Sequence, residues 1–236
     1  MCIRDRQYAG LFSSEFDEKK DNDKKYFVIE AAHFLFPFAR SIIADITKDG
    51  GFNPLIIQPF DFVHLNMILK TIRGKTPSYG ENCFFTDTSV VVGDVVMGRD
   101  CTVWYHAIVR GDVNSIQIGD QVNIQDGAVI HATYQKFSTT IGNRVSIGHN
   151  AIVHGCTIHD NVLIGMGAIV MDGCVVESNS IIAAGAVVTQ GTHVPSGTIF
   201  SGVPAKKKKD ISVELTEGEI ERIAKNYIMY ADWFRE

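Results

Sequence analysis

The sequence of 236 residues lacks several features that would assign it to whole classes of protein. It has no apolar run of the ~18 to 20 residues that cross a bilayer, and its N-terminus lacks the basic-then-apolar order of a secretory leader. It has no excess of positive charge, because 22 basic and 27 acidic residues give a net charge of −5. These absences predict a cytoplasmic protein with no membrane partner and no nucleic-acid partner.

Cysteine is scarce and is poorly placed for cross-linking. The five cysteines form no CxxC pair, which argues against a disulfide framework and against a zinc site built from thiolates. The remaining composition is ordinary for a folded chain, with 45% hydrophobic and 21% charged residues. A stable globular fold is therefore predicted.

The first 69 residues differ from the rest of the chain in their pattern of charged and apolar residues. Residues 15–25 hold nine charges and predict a solvated loop between two short strands, the second of them at 26–29. Pro37 can open a helix, and a second short helix is expected after Pro59. We therefore predict a small α/β segment over residues 1–69.

Beyond this segment, a large apolar residue returns at every sixth position, and a small or β-branched residue stands two positions before it. The longest runs are Phe85, Val91, Met97, Val103 and Val109, and then Ile158, Ile164, Val170, Val176, Ile182, Val188, Val194 and Phe200. A six-residue step describes one flat side of a triangular parallel β-helix with 18 residues per coil. We predict an all-β solenoid over 70–205, with left-handed backbone at corners such as Gly119-Asp120 and Gly142-Asn143.

The period breaks at 110–117, 131–140 and 148–157, and such irregularities tend to mark the functional face of a solenoid. The histidines at these breaks are His131, His149 and His154. Three imidazoles would leave the fourth position of a tetrahedral zinc ion to a water molecule, whose pKa zinc lowers to ~7. Spacing alone leaves two alternatives open, namely surface histidines and the general base of a hexapeptide acyltransferase.

After the solenoid, residues 206–209 form a four-lysine run that we interpret as a solvated exit. Thr216 and Glu219 form a capping-box pattern, and residues 206–236 are predicted to hold a helix that packs on the solenoid. Its apolar face consists of Ile220, Ile223, Ala224, Tyr227, Tyr230, Ala231 and Phe234.

Residues 7–69 resemble the C-terminal part of the export chaperone SecB, in the strings LFPFAR (35–40) and DGGFNPLIIQPFDF (49–62). The earlier strands of that family are missing, so chaperone activity is not implied. The opening MCIRDR (1–6) looks like translated adaptor sequence, and we interpret the chain as two neighbouring reading frames joined in an environmental assembly. The alternative is a natural N-terminal extension.

Four further strings resemble the γ-class carbonic anhydrase family: VRGD (109–112), NIQDGAVIH (123–131), SIGHNAIVHGC (146–156) and LIGMGAIV (163–170). The resemblance covers residues 70–236. It implies a left-handed β-helix that forms a homotrimer, with a zinc ion at each interface between subunits.

The resemblance also implies roles for particular residues. His131 and His154 of one subunit and His149 of its neighbour would hold the zinc, and Fe²⁺ or Co²⁺ could use the same imidazoles. Gln125 would orient the nucleophile. The polar residues that would pair between subunits or position CO₂ and the nucleophile are Arg110, Asp112, Asn123, Gln125 and Asp126.

One departure from the family concerns proton transfer. The best-studied γ-class enzymes carry a glutamate straight after the Arg-x-Asp motif and another after the first zinc histidine. Here Val113 and the loop 132–139 offer no carboxylate, so proton export would depend on buffer, His106 or Tyr134. We predict a zinc enzyme that reversibly hydrates CO₂ to bicarbonate. The alternatives are a catalytically weak trimeric metal-binding scaffold and an acyltransferase that uses an acyl-CoA.

Overall fold

The chain divides into two compact units, residues 1–65 and 66–236. The computed structural model describes residues 21–51 and 67–235. The second unit begins ahead of the boundary predicted at residue 70, because a strand at Ile68–Lys70 already pairs with the solenoid. Within the described residues, no helix is long and apolar enough to cross a membrane.

The described part of the first unit is a single helix, α1 (Asp21–Asp49). The predicted loop and strand over residues 15–29 are therefore wrong from residue 21 onward, and Pro37 lies inside the helix rather than at its start. Lys and Glu are good helix formers, so a dense run of charge is compatible with a solvated helix as well as with a loop. The helix predicted after Pro59 lies outside the described residues.

The second unit is a parallel β-helix, as predicted, with strands of two to eleven residues. The first ten strands are β1 (Ile68–Lys70), β2 (Ser78–Tyr79), β3 (Phe84–Phe85), β4 (Val90–Met97), β5 (Thr102–Val103), β6 (Ile108–Ile118), β7 (Asn123–Ile124), β8 (Val129–His131), β9 (Thr139–Ile141) and β10 (Ser146–Ile147). The last ten are β11 (Ile152–His154), β12 (Thr157–Ile158), β13 (Val162–Ile164), β14 (Ile169–Val170), β15 (Val175–Val176), β16 (Ser180–Ile182), β17 (Val187–Val188), β18 (His193–Val194), β19 (Thr198–Ser201) and β20 (Lys206–Asp210).

These strands form the three faces of about seven stacked coils. The first face contains β1, β4, β6, β8, β11, β14 and β17. The second face contains β2, β9, β12, β15 and β18, together with the second halves of the long strands β4 and β6. The third face contains β3, β5, β7, β10, β13, β16 and β19.

The core is the set of inward columns that the six-residue period predicts. On the first face Val109, Ile130, Val153, Val170 and Val188 are completely buried. Burying a side chain of this size stabilises the fold by about 1.5 to 3 kcal/mol. The columns loosen at the first coil, where Cys83 and Phe85 are only partly buried because no preceding coil covers them.

The corners are sharp because the chain there adopts positive φ, although not at all of the expected positions. Asn161 has φ +55°, but at the predicted corners Gly119-Asp120 and Gly142-Asn143 the positive φ falls on the next residue, Gln121 or Arg144. Gly119 is needed for a different reason. A Cβ at this position would lie 2.8 Å from the backbone carbonyl carbon of Gly142, so glycine allows adjacent coils to stack closely.

The C-terminal region covers the third face. The four lysines form most of β20, which pairs antiparallel with β19 and is exposed throughout, so the run is solvated as predicted but is a strand. In an edge strand the backbone makes the hydrogen bonds to its neighbour while the side chains remain in solvent. Lysines are therefore compatible with this strand.

The chain then forms α2 (Val213–Leu215), a π-helical turn (Thr216–Glu221) and α3 (Arg222–Asp232). The predicted capping box at Thr216 is wrong, because Ser212 is the N-cap and its hydroxyl accepts from the backbone N–H of Leu215. Ile220 of the predicted apolar face is completely buried, and the ring of Tyr227 lies 5.3 Å from that of Trp104 on the third face.

Candidate metal centre

Two of the three predicted histidines meet at one corner of the solenoid, between the first and second faces. His131 ends β8 and His154 ends β11, and the two are register partners on adjacent coils. We call this place the His131 corner; it consists of Arg110, Asp112, His131, His154 and Asp172. The parallel register stacks the two imidazoles at the spacing of neighbouring strands, ~4.8 Å.

Each imidazole at the His131 corner lies between the other ring and a carboxylate. His131 Nδ1 is 3.1 Å from His154 Nε2. The other nitrogen of each ring is bound to an aspartate, with His131 Nε2 at 3.0 Å from Asp112 Oδ1 and His154 Nδ1 at 2.6 Å from Asp172 Oδ1. Arg110 in turn donates to Asp112 at 2.5 Å.

The carboxylates determine which nitrogen of each ring carries a proton. A carboxylate only accepts, so His131 Nε2 and His154 Nδ1 must donate to their aspartates. In the neutral rings, the two nitrogens that face each other then both present lone pairs. Two lone pairs at 3.1 Å repel unless a cation or a proton lies between them.

The electrostatics of the corner keep the carboxyls ionised and favour neutral His131. Burial raises the pKa of the Asp112 carboxyl, but the hydrogen bond from His131 and the charge of Arg110 outweigh it and lower the pKa overall. Burial lowers the pKa of His131, and the charge of Arg110 acts in the same direction. A neutral imidazole is the form that binds a metal ion.

The backbone next to both histidines is held by a buried hydroxyl. Thr139 Oγ1 donates to the carbonyl oxygen of His131 at 2.5 Å and accepts from the N–H of Gly155 at 3.0 Å. This bridge is available because the loop 132–138 leaves the solenoid and returns at Thr139. The period break found in the sequence is therefore also the feature that fixes the ends of β8 and β11.

His149 lies at a different corner, between the third and first faces. There its Nδ1 is 2.8 Å from Asp126 Oδ2, and the hydroxyl of Tyr227 is 3.5 Å from its Nε2. Burial and the charge of Asp126 raise the pKa of Tyr227 to about 12, so its hydroxyl stays neutral. We call this place the His149 corner; it consists of Asn123, Gln125, Asp126, His149 and Tyr227.

The buried amides of the His149 corner form a hydrogen-bonded chain. Gln125 Nε2 donates to Asn123 Oδ1 at 2.9 Å, and Asn123 Nδ2 donates to Ser146 Oγ at 2.7 Å. Asn123 is 1% exposed and Gln125 5% exposed. The amide of Gln125 is therefore held in one orientation.

The predicted site residues thus form two groups within one chain. Arg110, Asp112, His131 and His154 lie together, and Asn123, Gln125, Asp126 and His149 lie together, at opposite ends of the first face. Along the chain, His149 lies in the turn at residues 148–151 and His154 ends the following strand, so all of β11 separates the two imidazoles. Accordingly, no three His, Cys, Asp or Glu side chains within residues 35–51 and 67–235 are arranged to hold a metal ion in a single chain.

The first face between the two corners carries an outward-facing apolar stripe. Its members are register partners on five successive coils: Ile108, Val129, Ile152, Ile169 and Val187. All five are partly or well exposed, and Ile152 is 37% exposed. The corresponding outward column of the second face is mixed and consists of Val96, Gln117, Thr140, Thr157, Val175 and His193.

Three residues were not identified as site residues from the sequence: Asp172 of the His131 corner, Thr133, whose hydroxyl donates to Asp172, and Tyr227 of the His149 corner. Asp172 could have been found, because it follows His154 by 18 residues, the length of one coil. Tyr227 was expected only as part of an apolar helix face. The two candidate proton shuttles lie at different corners. His106 lies at the corner between the third and first faces, and Tyr134 lies on the exposed loop after His131.

Comparison with known proteins places both parts of the chain. Residues 1–69 match the family of the preprotein translocase subunit SecB, and residues 138–168 and 155–190 match the bacterial transferase hexapeptide family. The chain is 41% identical over 166 residues to a carbonic anhydrase of Geobacillus kaustophilus. The match covers 69% of this chain and 88% of that protein.

Two further relatives have names that specify no carbonic anhydrase. Protein YrdA of Escherichia coli is 40% identical over 171 residues, 70% of this chain and 92% of YrdA. The solved structure of a hexapeptide transferase family protein from Anaplasma phagocytophilum superimposes with a TM-score of 0.67 at 37% identity, and the match covers 71% of this chain and 98% of that one.

The fold and the histidine–carboxylate corners define a hexapeptide-repeat β-helix protein. With relatives at this identity over most of their length, the chain belongs to the γ-class carbonic anhydrase family.

Proposed function

We propose that this protein is a metal-dependent carbonic anhydrase that interconverts CO₂ and bicarbonate, with a divalent ion held between subunits of a homotrimer. The observation that carries the proposal is the pair of imidazole nitrogens at the His131 corner, 3.1 Å apart with their outer nitrogens tied to carboxylates. Two nitrogens bound to one tetrahedral zinc ion at ~2.0 to 2.1 Å lie roughly 3.3 to 3.4 Å apart. The pair is therefore close to the spacing that zinc requires.

The third ligand is proposed to come from a second copy of the chain. His149 resembles His154 in its contacts, because its Nδ1 is bound to an aspartate and its Nε2 is left for a metal ion. Its corner and the His131 corner border the same face, and the apolar stripe between them is the kind of surface that marks a protein interface. A ring of three copies joined through this face would bring the His149 corner of each chain to the His131 corner of the next.

A bound divalent ion would supply a water molecule of lowered pKa as the nucleophile for CO₂. The remaining work falls to the residues of this chain. The NH₂ end of the Gln125 amide is engaged by Asn123, which leaves its carbonyl oxygen available to accept a hydrogen bond from the attacking water. Arg110 is 45% exposed and offers further guanidinium donors to bicarbonate or to a neighbouring chain.

A catalytically weak metal-binding scaffold is the second candidate, and a specific observation favours it. Val113 lines a cavity of about 330 Å³ whose two carboxylates are already paired, Asp94 with Lys75 and Asp112 with Arg110 and His131. The adjoining loop 132–139 adds no further carboxylate. Without a group of suitable pKa near the site, proton export limits the hydration rate.

The experiment that separates these functions is a stopped-flow assay of CO₂ hydration on metal-loaded and metal-stripped protein, with acetyl-CoA turnover measured in parallel. A carbonic anhydrase shows metal-dependent hydration, and a scaffold binds metal without accelerating hydration. Acyl-CoA consumption in the absence of metal would favour an acyltransferase, as the name of the Anaplasma phagocytophilum relative would suggest. The same assay on His154→Ala should show no metal-dependent hydration. His193→Ala is its matched control, because His193 also pairs with a carboxylate, Glu177 at 2.8 Å, away from both corners.

A further inference from the structure

Asp172 stands outside the residues that the family motifs identify, yet it has the shortest contact of any carboxylate with a histidine of the site. Its Oδ1 is 2.6 Å from His154 Nδ1, and its Oδ2 accepts from Thr133 Oγ1 at 2.7 Å. Both oxygens are therefore engaged by groups of fixed position. A carboxylate oxygen only accepts, so His154 Nδ1 is the donor in this contact.

The backbone next to His154 is shaped to admit this carboxylate. Gly155 has φ +53°, and a Cβ built on it would lie 2.3 Å from Asp172 Oδ1. Any side chain at position 155 would therefore displace the aspartate. Because glycine has no side chain, the carboxylate of the next coil has space to contact the imidazole.

Thr133 is itself held in place, so the pair is not a chance surface contact. It forms a bridge with Phe137 across the loop after His131, and its carbonyl oxygen accepts from Asn114 Nδ2 at 3.2 Å. Asp172 thus connects the loop that follows one predicted ligand to the ring of another.

We propose that Asp172, held by Thr133, is a positioning residue that keeps His154 protonated on Nδ1 and turns its Nε2 toward the metal ion. The inference rests on the proposed metal site and assigns to it a further pair of residues. Carboxylates that bind the outer nitrogen of a metal-ligating histidine fix its tautomer and ring orientation, and their loss typically costs ~10- to 100-fold in metal affinity.

The test compares Asp172→Ala, Asp172→Asn and Thr133→Val with the wild-type full-length protein. Zinc affinity is measured by competition with a chelator, and the tautomer of His154 in metal-free protein is measured from its imidazole ¹⁵N shifts. We expect Asp172→Ala to bind zinc ~10- to 100-fold more weakly and to lose the Nδ1–H preference. Asp172→Asn, which can still accept through its amide oxygen, should lose less, and Thr133→Val should lose least.

Glu177→Gln is the matched control, because it alters a carboxylate–histidine pair of similar length with no connection to His154. Unchanged affinity and an unchanged His154 tautomer in Asp172→Ala would overturn the inference. If Asp172→Ala does not fold, the near-isosteric Asp172→Asn and Thr133→Val decide the matter by the same two measurements. A wild-type protein that binds no zinc would refute the proposed function, and the ¹⁵N shifts of the metal-free variants would still show whether Asp172 sets the tautomer.

Discussion

His131 and His154 are register partners on adjacent coils, and their facing nitrogens, Nδ1 and Nε2, lie 3.1 Å apart. Because Asp112 and Asp172 hold the outer nitrogens, the facing nitrogens carry lone pairs when the rings are neutral. A divalent cation between them would relieve this repulsion and use the geometry that the stacked strands already impose. By keeping its coils in register, the parallel β-helix therefore brings together two of the three histidines of the proposed metal site.

Substitution of the three histidines should abolish metal binding without unfolding the solenoid. We expect His131→Ala, His149→Ala and His154→Ala each to reduce zinc from about one ion per chain to near zero, because two imidazoles and water hold the ion far more weakly than three. The measurement is elemental analysis of purified protein after dialysis. His193→Ala should retain its zinc, and stoichiometric zinc in the His149→Ala protein would contradict a three-histidine site.

The outward apolar stripe of the first face should control assembly. Ile152→Lys places a charge in the proposed interface, where it would be buried without a partner at a cost of several kcal/mol. We expect the trimer to dissociate and the metal to be lost with it, as measured by light scattering coupled to size-exclusion chromatography. Val96→Lys on the second face, at a residue 42% exposed, is the control and should remain a trimer.

Proton export should limit turnover, since Val113 stands where a carboxylate would be expected. CO₂ hydration at saturating substrate should rise with imidazole concentration at fixed pH and ionic strength, because a diffusible base can replace the absent group. Val113→Glu should lessen this dependence, while Val96→Glu should not. General acid–base transfer is typically worth ~10²- to 10⁴-fold, so even a poorly placed glutamate should be measurable. Fast, buffer-independent turnover of the unaltered protein would mean that another residue carries the proton.

The N-terminal unit should be dispensable, provided that the truncation spares β1. Protein starting at Asn66 should keep its trimeric state and its metal. Protein starting at Thr71 also loses the pairing of β1 with β4, which holds three register pairs from Ile68 to Lys70. We expect the shorter protein to be less stable by roughly 1 to 3 kcal/mol, since each backbone hydrogen bond contributes about 1 kcal/mol net. Chemical unfolding followed by circular dichroism measures the difference, and aggregation of the Asn66 protein would show the first unit to be integral.

The solenoid could be predicted from the sequence because its repeat is local. Each coil buries the same two positions, so the spacing of residues such as Val109 and Ile130 predicts the fold without knowledge of distant contacts. The helix at Asp21–Asp49 could not be predicted in the same way, because charged residues suit both a solvated loop and a solvated helix. The strand formed by the four lysines could not be predicted either. The pairing of its backbone with β19 determines its conformation, and its side chains do not.

The part of the candidate site that could be predicted lies where the six-residue period breaks. The period breaks and the family motifs located the histidines and their polar neighbours. The engagement of His154 by Asp172 depends on the stacking of two coils and on the room left by Gly155, which a reading along one coil does not reveal. The contact between Tyr227 and His149 joins residues 78 positions apart and requires the C-terminal helix to fold back on the third face.

The most direct test of a metal site shared between chains is complementation between two inactive variants. His149→Ala chains still supply His131 and His154, and His154→Ala chains still supply His149, so neither variant should bind zinc alone. Refolding equal amounts together should restore about a quarter of the sites, because in a cyclic trimer each interface takes one corner from each of two chains. Zinc recovered near that fraction, measured by elemental analysis of the mixed trimers, is the predicted result. No recovery in mixed trimers, or full zinc content in either variant alone, would contradict a site built from two subunits.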